Sequence, residues 1–180
     1  MKKVIRRRKV NKSQHAFVNS KAKFPALVGG KGSGKTEALA LRALRLLWLH
    51  KQNIAYYLPT YGLIRDIAYP RFMDLLTRAK VPYTLNKSYH EIHVNDIGTI
   101  IFRSLDNPDI IIGYEVGHSF IDEFDILTME KAKLCWQRVN DRNRAVLPKS
   151  GLNTVSVGMT PEGFRFIYEN CKIYKLTTLS

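Results

Sequence analysis

Cysteine is nearly missing: Cys135 and Cys171 stand far apart in 180 residues, outside any CxxC spacing. That excludes a disulfide framework or a zinc ribbon as the source of stability, and both read as small buried hydrophobes. Long apolar runs are also lacking. No stretch approaches the roughly 20 residues of a membrane-spanning helix, and the amino terminus lacks the apolar core of a secretory signal. The expectation is a soluble, cytoplasmic protein with no membrane partner. Acids are scarce, 15 against 29 lysines and arginines, for a formal charge of +14. Such an excess attracts polyanions, nucleic acid first. Half of it comes from Lys2, Lys3, Arg6, Arg7, Arg8, Lys9 and Lys12, with no acid among them. Residues 1–12 therefore read as a basic, flexible arm, whether a solvated tail, a DNA or partner contact, or a nuclear address.

Metal-ligand clusters are missing too. His90 and His93, three apart on an expected strand, point to opposite faces. His118, close to an acidic pair in sequence, reads as a bystander.

What remains suits one domain with a real core, residues 13–180, at 45% hydrophobic content. Past the arm no repeat or low-complexity segment occurs, and strand and helix patterns alternate, which favours an α/β fold with a mostly parallel sheet. Strands are expected at 24–28, 53–58, 117–121 and 153–158, and helices at 35–50, 62–80 and 128–142. Pro70 should start a new turn or kink the second helix. Residues 89–95 and 99–103, joined by Asp96-Ile97-Gly98, read as a β-hairpin insertion.

The most specific feature lies between the first strand and the first long helix. Gly29, Gly30, Lys31, Gly32, Ser33, Gly34, Lys35 and Thr36 satisfy the pattern GxxxxGK[ST] in full. Glycines let successive N–H groups wrap phosphate oxygens, and the following helix presents its positive end to the same anion. Lys35 would reach the β and γ phosphates, and Thr36 would place its hydroxyl on Mg²⁺. The expected ligand is ATP with Mg²⁺.

Asp122-Glu123, at the end of an apolar strand, is the second chemical station. Asp122 would hold Mg²⁺, and Glu123 would orient and deprotonate the attacking water. Thr160, just past the next strand, is placed to sense the γ phosphate, with a plain turn threonine as the alternative. A charge-stabilising arginine is expected among Arg103, Arg138, Arg142 and Arg144, with Lys31 as a substitute. Gln14 and Phe17 are candidates for adenine, by hydrogen bonds and stacking respectively, against surface-polar and core-aromatic alternatives.

In this order, Gln14 to Phe17, the loop at 29–36, Leu58-Pro59-Thr60, Phe102 to Asp109 with Gly113 to Gly117, Phe120 to Asp125, and Met159 to Gly163 resemble the motif set of tailed-phage terminase large subunits. The likeness covers about residues 14–180 and lies in the ordered set rather than in any one motif. It departs at Ile112, where many members carry an arginine, and no acid cluster of a nuclease domain follows Asp125. The resemblance implies a RecA-like (ASCE) P-loop ATPase domain, truncated and without its nuclease. It also implies a motor that threads double-stranded DNA into a procapsid, as a homo-oligomeric ring on the portal protein with a small terminase subunit, in the host cytoplasm. Slow turnover is expected of the isolated chain, because an arginine from a neighbouring subunit would complete the site. Three alternatives remain: another nucleic-acid ATPase such as a helicase, a small-molecule kinase, disfavoured because Glu123 favours water as acceptor, and a non-hydrolysing ATP-binding assembly subunit.

Overall fold

The computed structural model describes residues 10–148, 151–161, 167 and 170–176. Most of the basic arm therefore lies outside the described residues, as do Glu162 and Gly163 of the last motif. Helix α1 (Lys12–Val18) opens the described fold, capped by Asn11, whose side chain accepts from Gln14 N while the Gln14 side chain accepts from Asn11 N. This reciprocal box satisfies two N–H groups that a short helix otherwise leaves open.

Strand β1 (Pro25–Val28) delivers the glycine loop to helix α2 (Lys35–His50). That helix has the bounds its proline-free and glycine-free run predicts. Strand β2 (Ile54–Leu58) leads into one helical run: α3 (Tyr61–Leu63), a π turn (Ile64–Ala68) and α4 (Tyr69–Ala79). The π turn answers Pro70. Proline has no N–H and its ring crowds the carbonyl four residues back, so the helix widens, and Tyr69 N bonds Ile64 O five residues behind.

Strands β3 (Tyr83–Asn86), β4 (Glu91–Val94) and β5 (Gly98–Ser104) follow, then β6 (His118–Asp122), α5 (Met129–Arg142), β7 (Thr154–Met159) and β8 (Lys172–Lys175). The sheet order is β3-β4-β5-β2-β6-β7-β1-β8. All pairings are parallel except those of β4. The expected hairpin is present as β4–β5, but β5 is also a full parallel partner of β2, so only β3 and β4 are additions to the parallel sheet. Strands β1, β2, β6 and β7 are buried along their whole length, as strands covered on both faces must be. One face packs Phe17, Leu39, Leu47, Tyr56, Phe72 and Phe102 under α1, α2 and α4. The other packs Tyr57, Ile121, Cys135, Val139 and Val157 under α5.

Arg42 is a buried cation that ties these layers together. Only 1% exposed, it donates to Ser156 Oγ and to the carbonyls of Phe17, Val18 and Ser20 at 2.9–3.1 Å. Burial lowers its pKa to about 10, which leaves it charged, and carbonyl dipoles take the place of a carboxylate.

At the opposite edge of the sheet from the glycine loop, His118 begins β6, a full strand away from the acidic pair it precedes in sequence. Its Nε2 lies 2.6 Å from His50 Nδ1, and its Nδ1 lies 2.9 Å from Thr154 Oγ1. Burial, then His50 and Arg42, lower its pKa to about 3. The folded chain keeps this ring neutral, whereas the unfolded chain protonates it near the ordinary value of 6.5. Stability contributed by the neutral ring is therefore present above about pH 6.5 and lost as pH falls toward 3, with a limiting slope of about 1.4 kcal/mol per pH unit. Urea melts between pH 7 and pH 4.5 should show this loss, and His118→Gln should flatten it.

Candidate active site

The parallel strands end on one edge, where β1, β6 and β7 bring the sequence motifs together. The glycine loop leaves β1 clamped by its neighbours, with Gly29 N donating to Met159 O at 3.2 Å and Leu176 N donating to Val28 O at 2.7 Å. Within the loop, Ser33 Oγ and Lys35 Nζ both donate to Gly30 O, at 2.7 and 3.0 Å. Lys35 is buried, and its hydrogen bond to Gly30 O points the ammonium into the loop. Gly34 caps α2 in the left-handed region, φ 84°, and offers no side-chain acceptor to the first turn. The first-turn N–H groups therefore have no side-chain cap, the arrangement that helix N-termini present to anions.

Gln14 braces this loop from outside. Its Nε2 donates to Ser33 O and Gly34 O, each at 3.3 Å, while its Oε1 accepts from Asn11 N. It sits at the site, but its amide is engaged at both ends, and it acts here on the loop backbone. A Cβ on Gly34 would come within 2.6 Å of that amide, a second reason for glycine there. Phe17 departs from its adenine role: it is fully buried, edge-on to Tyr174 at 6.0 Å and covered by the Arg42 guanidinium. The core reading holds for Phe17 because no ring face is left to stack on a base.

Asp122 closes the site from β6. The carboxylate is fully buried and takes hydrogen bonds from Tyr56 Oη at 2.9 Å and Glu123 N at 3.2 Å, with the Thr36 hydroxyl close enough to favour its charged form. Burial pushes its pKa up to about 6, against the pull of the nearby Thr36 hydroxyl and the Tyr56 hydrogen bond. The β6–β7 register sets Asp122 beside Gly158, where any Cβ would lie 2.8 Å from Asp122 Oδ1. Thr36 and Asp122, distant in sequence, thus share one oxygen-only donor set. This fits a hard divalent cation such as Mg²⁺, and a buried carboxylate held by a neutral hydroxyl and a backbone N–H is what such a charge would relieve.

Glu123 follows in the left-handed region, φ 53° and ψ 41°, where a residue with a Cβ stays only if its surroundings hold it. Along an extended strand it would cross to the sheet face opposite Asp122. The left-handed turn breaks that alternation, and the Glu123 charge stays near enough to Asp122 and Tyr56 to raise the pKa of both.

Thr160 caps the edge of β7, with its N donating to Asp125 Oδ1 at 3.1 Å and its hydroxyl donating to Asp125 Oδ2. Asp125, Tyr56 and Gly158 were not singled out from sequence. Only Asp125 carried a signal, as the last residue of the acidic motif.

The arginine candidates separate by place. Arg142 O accepts from Val116 N, just ahead of β6, which sets Arg142 and Arg144 at the sheet edge away from the loop. The five-residue β6, about 16 Å of strand, lies between. Arg144 pairs with Glu115 at 2.8 Å and Arg138 with Asp109 at 3.4 Å. Arg103 lies on the loop side but donates to Tyr89 O and Phe102 O and sits 3.6 Å from Glu91. Lys31, exposed at the loop tip, has no ion-pair partner among the described residues. Ile112, at the position of the family arginine, is 60% exposed.

A glycine loop between strand and helix, an acidic pair on a parallel strand, and β7 inserted between those two strands define a P-loop nucleotide-binding domain of the RecA-like kind. The family described as "Terminase large subunit, T4likevirus-type, N-terminal" matches residues 26–178, and the chain belongs to it. No curated protein matches the chain. Among solved structures, the large terminase of a thermophilic bacteriophage is similar at a TM-score of 0.73 and 13% identity, over 94% of this chain and 45% of that one. The ATPase domain of the Thermus phage P74-26 large terminase is similar at 0.68 and 19%, over 89% and 68%. The HK97 bacteriophage large terminase is similar at 0.63 and 9%, over 87% and 34%. At these identities the likeness shows the fold. The chain spans less than half of the first of these proteins, which has also been solved with ADP and with ATP-γ-S.

Proposed function

We propose that this chain is the ATP-hydrolysing part of a viral DNA-packaging motor, which couples hydrolysis to the movement of double-stranded DNA into a procapsid. The observation that carries the reading is the convergence, at one end of the parallel strands β1, β7 and β6, of the phosphate loop that ends in Thr36 and of the buried Asp122, with Glu123 next to it. In this reading the loop N–H groups and Lys35 hold the β and γ phosphates. Thr36 and Asp122 would hold Mg²⁺, which neutralises phosphate charge when bound. Glu123 takes the proton of the attacking water, and Thr160 meets the γ phosphate from β7. A neighbouring copy in a ring supplies the stabilising arginine, since Arg142 and Arg144 lie at the far end of β6 and Arg103 is held by Tyr89 O and Phe102 O. Portal protein and small subunit are partners of the assembled motor.

The test is phosphate release with and without duplex DNA. Release should rise with duplex, DNA affinity should fall steeply with salt, and processive strand separation, the mark of a helicase, should be absent. Lys35→Ala should weaken ATP binding by roughly 10-fold or more, the size of a lost charge-assisted hydrogen bond, as read by fluorescent-nucleotide titration. Unchanged binding would remove the loop from the site.

A further inference from the structure

Two strands along the sheet from the acidic pair, the same edge carries a second cleft, of about 280 Å³, lined by Tyr61, Gly62, Arg65, Tyr69, Lys87 and His90. Its walls are built from departures in backbone geometry. Arg65 lies within the π turn and Tyr69 directly after it, and π turns of this kind recur at functional sites. His90 holds φ 56°, in the left-handed region, where glycine or asparagine would sit at less cost. Tyr61 stacks on the His90 ring at a centroid distance of 4.3 Å, and Tyr69 Oη lies 2.8 Å from His90 Nδ1. Phe102 N bonds His90 O at 2.9 Å, which fixes this turn on β5. Strain held by so many contacts is typical of ligand clamps.

The charges around the rings are mostly positive. Lys87 is exposed and has no ion-pair partner among the described residues. Arg65 is exposed and paired only with its neighbour Asp66 at 2.7 Å, an exposed pair of small worth. Tyr89, 69% exposed, projects from the same turn. A stacked aromatic pair beside exposed cations matches the chemistry of a nucleotide, with a flat base and an anionic phosphate. The volume suits one such unit, whereas a duplex keeps its bases stacked and out of reach.

We propose that this cleft holds one nucleotide unit of a single nucleic-acid strand, its base against the Tyr61 and His90 rings and its phosphate facing Arg65 and Lys87. The proposal rests on the packaging reading for its ligand class, a nucleic acid, and not on ATP hydrolysis.

The test is fluorescence anisotropy of a short labelled oligothymidylate and of a duplex of equal length, without ATP, on the whole chain and on Tyr61→Leu, Arg65→Ala and Lys87→Ala. Tyr61→Leu should weaken single-strand binding roughly 10-fold, the size of one base–aromatic stack, and leave duplex binding unchanged. Lys87→Ala and Arg65→Ala should each lower the slope of log affinity against log salt by about 0.7. Both side chains are exposed, so these variants test the site even if Tyr61→Leu folds poorly. Three results would overturn the proposal: single-strand binding indifferent to all three variants, equal losses for duplex, or thymidine monophosphate displacing the strand as well as the oligomer does. Failure of the motor reading is a separate result, seen as absent phosphate release with strand binding intact.

Discussion

Glu123→Gln is expected to bind ATP as the unaltered chain does and to release phosphate more slowly by roughly 10²–10⁴-fold, the usual worth of a positioned general base. Glutamine matches the shape and keeps an acceptor, but it takes no proton from water at neutral pH. The backbone should tolerate the change, because the left-handed turn is held by Glu123 N on Asp122 and by Ile126 N on Glu123 O at 3.3 Å, neither of which uses the side chain. Single-turnover release and fluorescent-nucleotide titration separate the two effects. Retained turnover would remove Glu123 from its proposed role, and lost binding would mean that its charge organises the whole site.

The parts of this site that sequence made legible share one property: their chemistry is written in contiguous residues. The glycine loop is a single octet, and α2 follows it as an uninterrupted helix former, so both were placed with their bounds. The acidic pair stood out because an apolar strand runs straight into it. Contacts made across strands were not legible. Gly158 matters only because the register puts it beside Asp122, and Tyr56 looks like any strand aromatic until its hydroxyl is seen on that carboxylate. Phe17 reads equally well as a base platform or as core, and only Arg42 and Tyr174 decide the matter.

Short elements were lost for a different reason. Helix α1 has seven residues and β3 and β8 have four each, too few for periodicity to rise above composition. The α1 capping box lies where the basic run ends, so the charge pattern masks the signal of Asn11 and Gln14. β8, Lys-Ile-Tyr-Lys, is a polar edge strand whose place is set by its pairing with β1. His118 reads as a bystander from sequence, and five residues of strand carry it to the far edge of the sheet, away from the acidic pair.

Asp125→Ala should lower kcat by roughly 100-fold while changing ATP affinity little. The Asp125 carboxylate takes both the N–H and the hydroxyl of Thr160, which is 8% exposed. It belongs to the 3₁₀ turn Phe124–Ile126, capped by Glu123. One side chain thus joins the turn that positions the proposed base to the end of β7, where Thr160 would meet the γ phosphate. Alanine leaves a buried N–H unpaired, at a cost of about 1–3 kcal/mol, and removes the tie between the turn that carries Glu123 and the end of β7. A displacement of the base by about 1 Å suffices for a loss of that size. Asp125 touches no nucleotide in this reading and is a positioning residue, so the informative readout is the split between kcat and KM. Thr160→Ser keeps both donors and should retain most activity. Thr160→Val keeps the N–H alone and should fall between the serine variant and Asp125→Ala. If Asp125→Ala lowers Tm but leaves kcat intact, the contact is a fold clamp only, and Thr160 has no route to Glu123 through it.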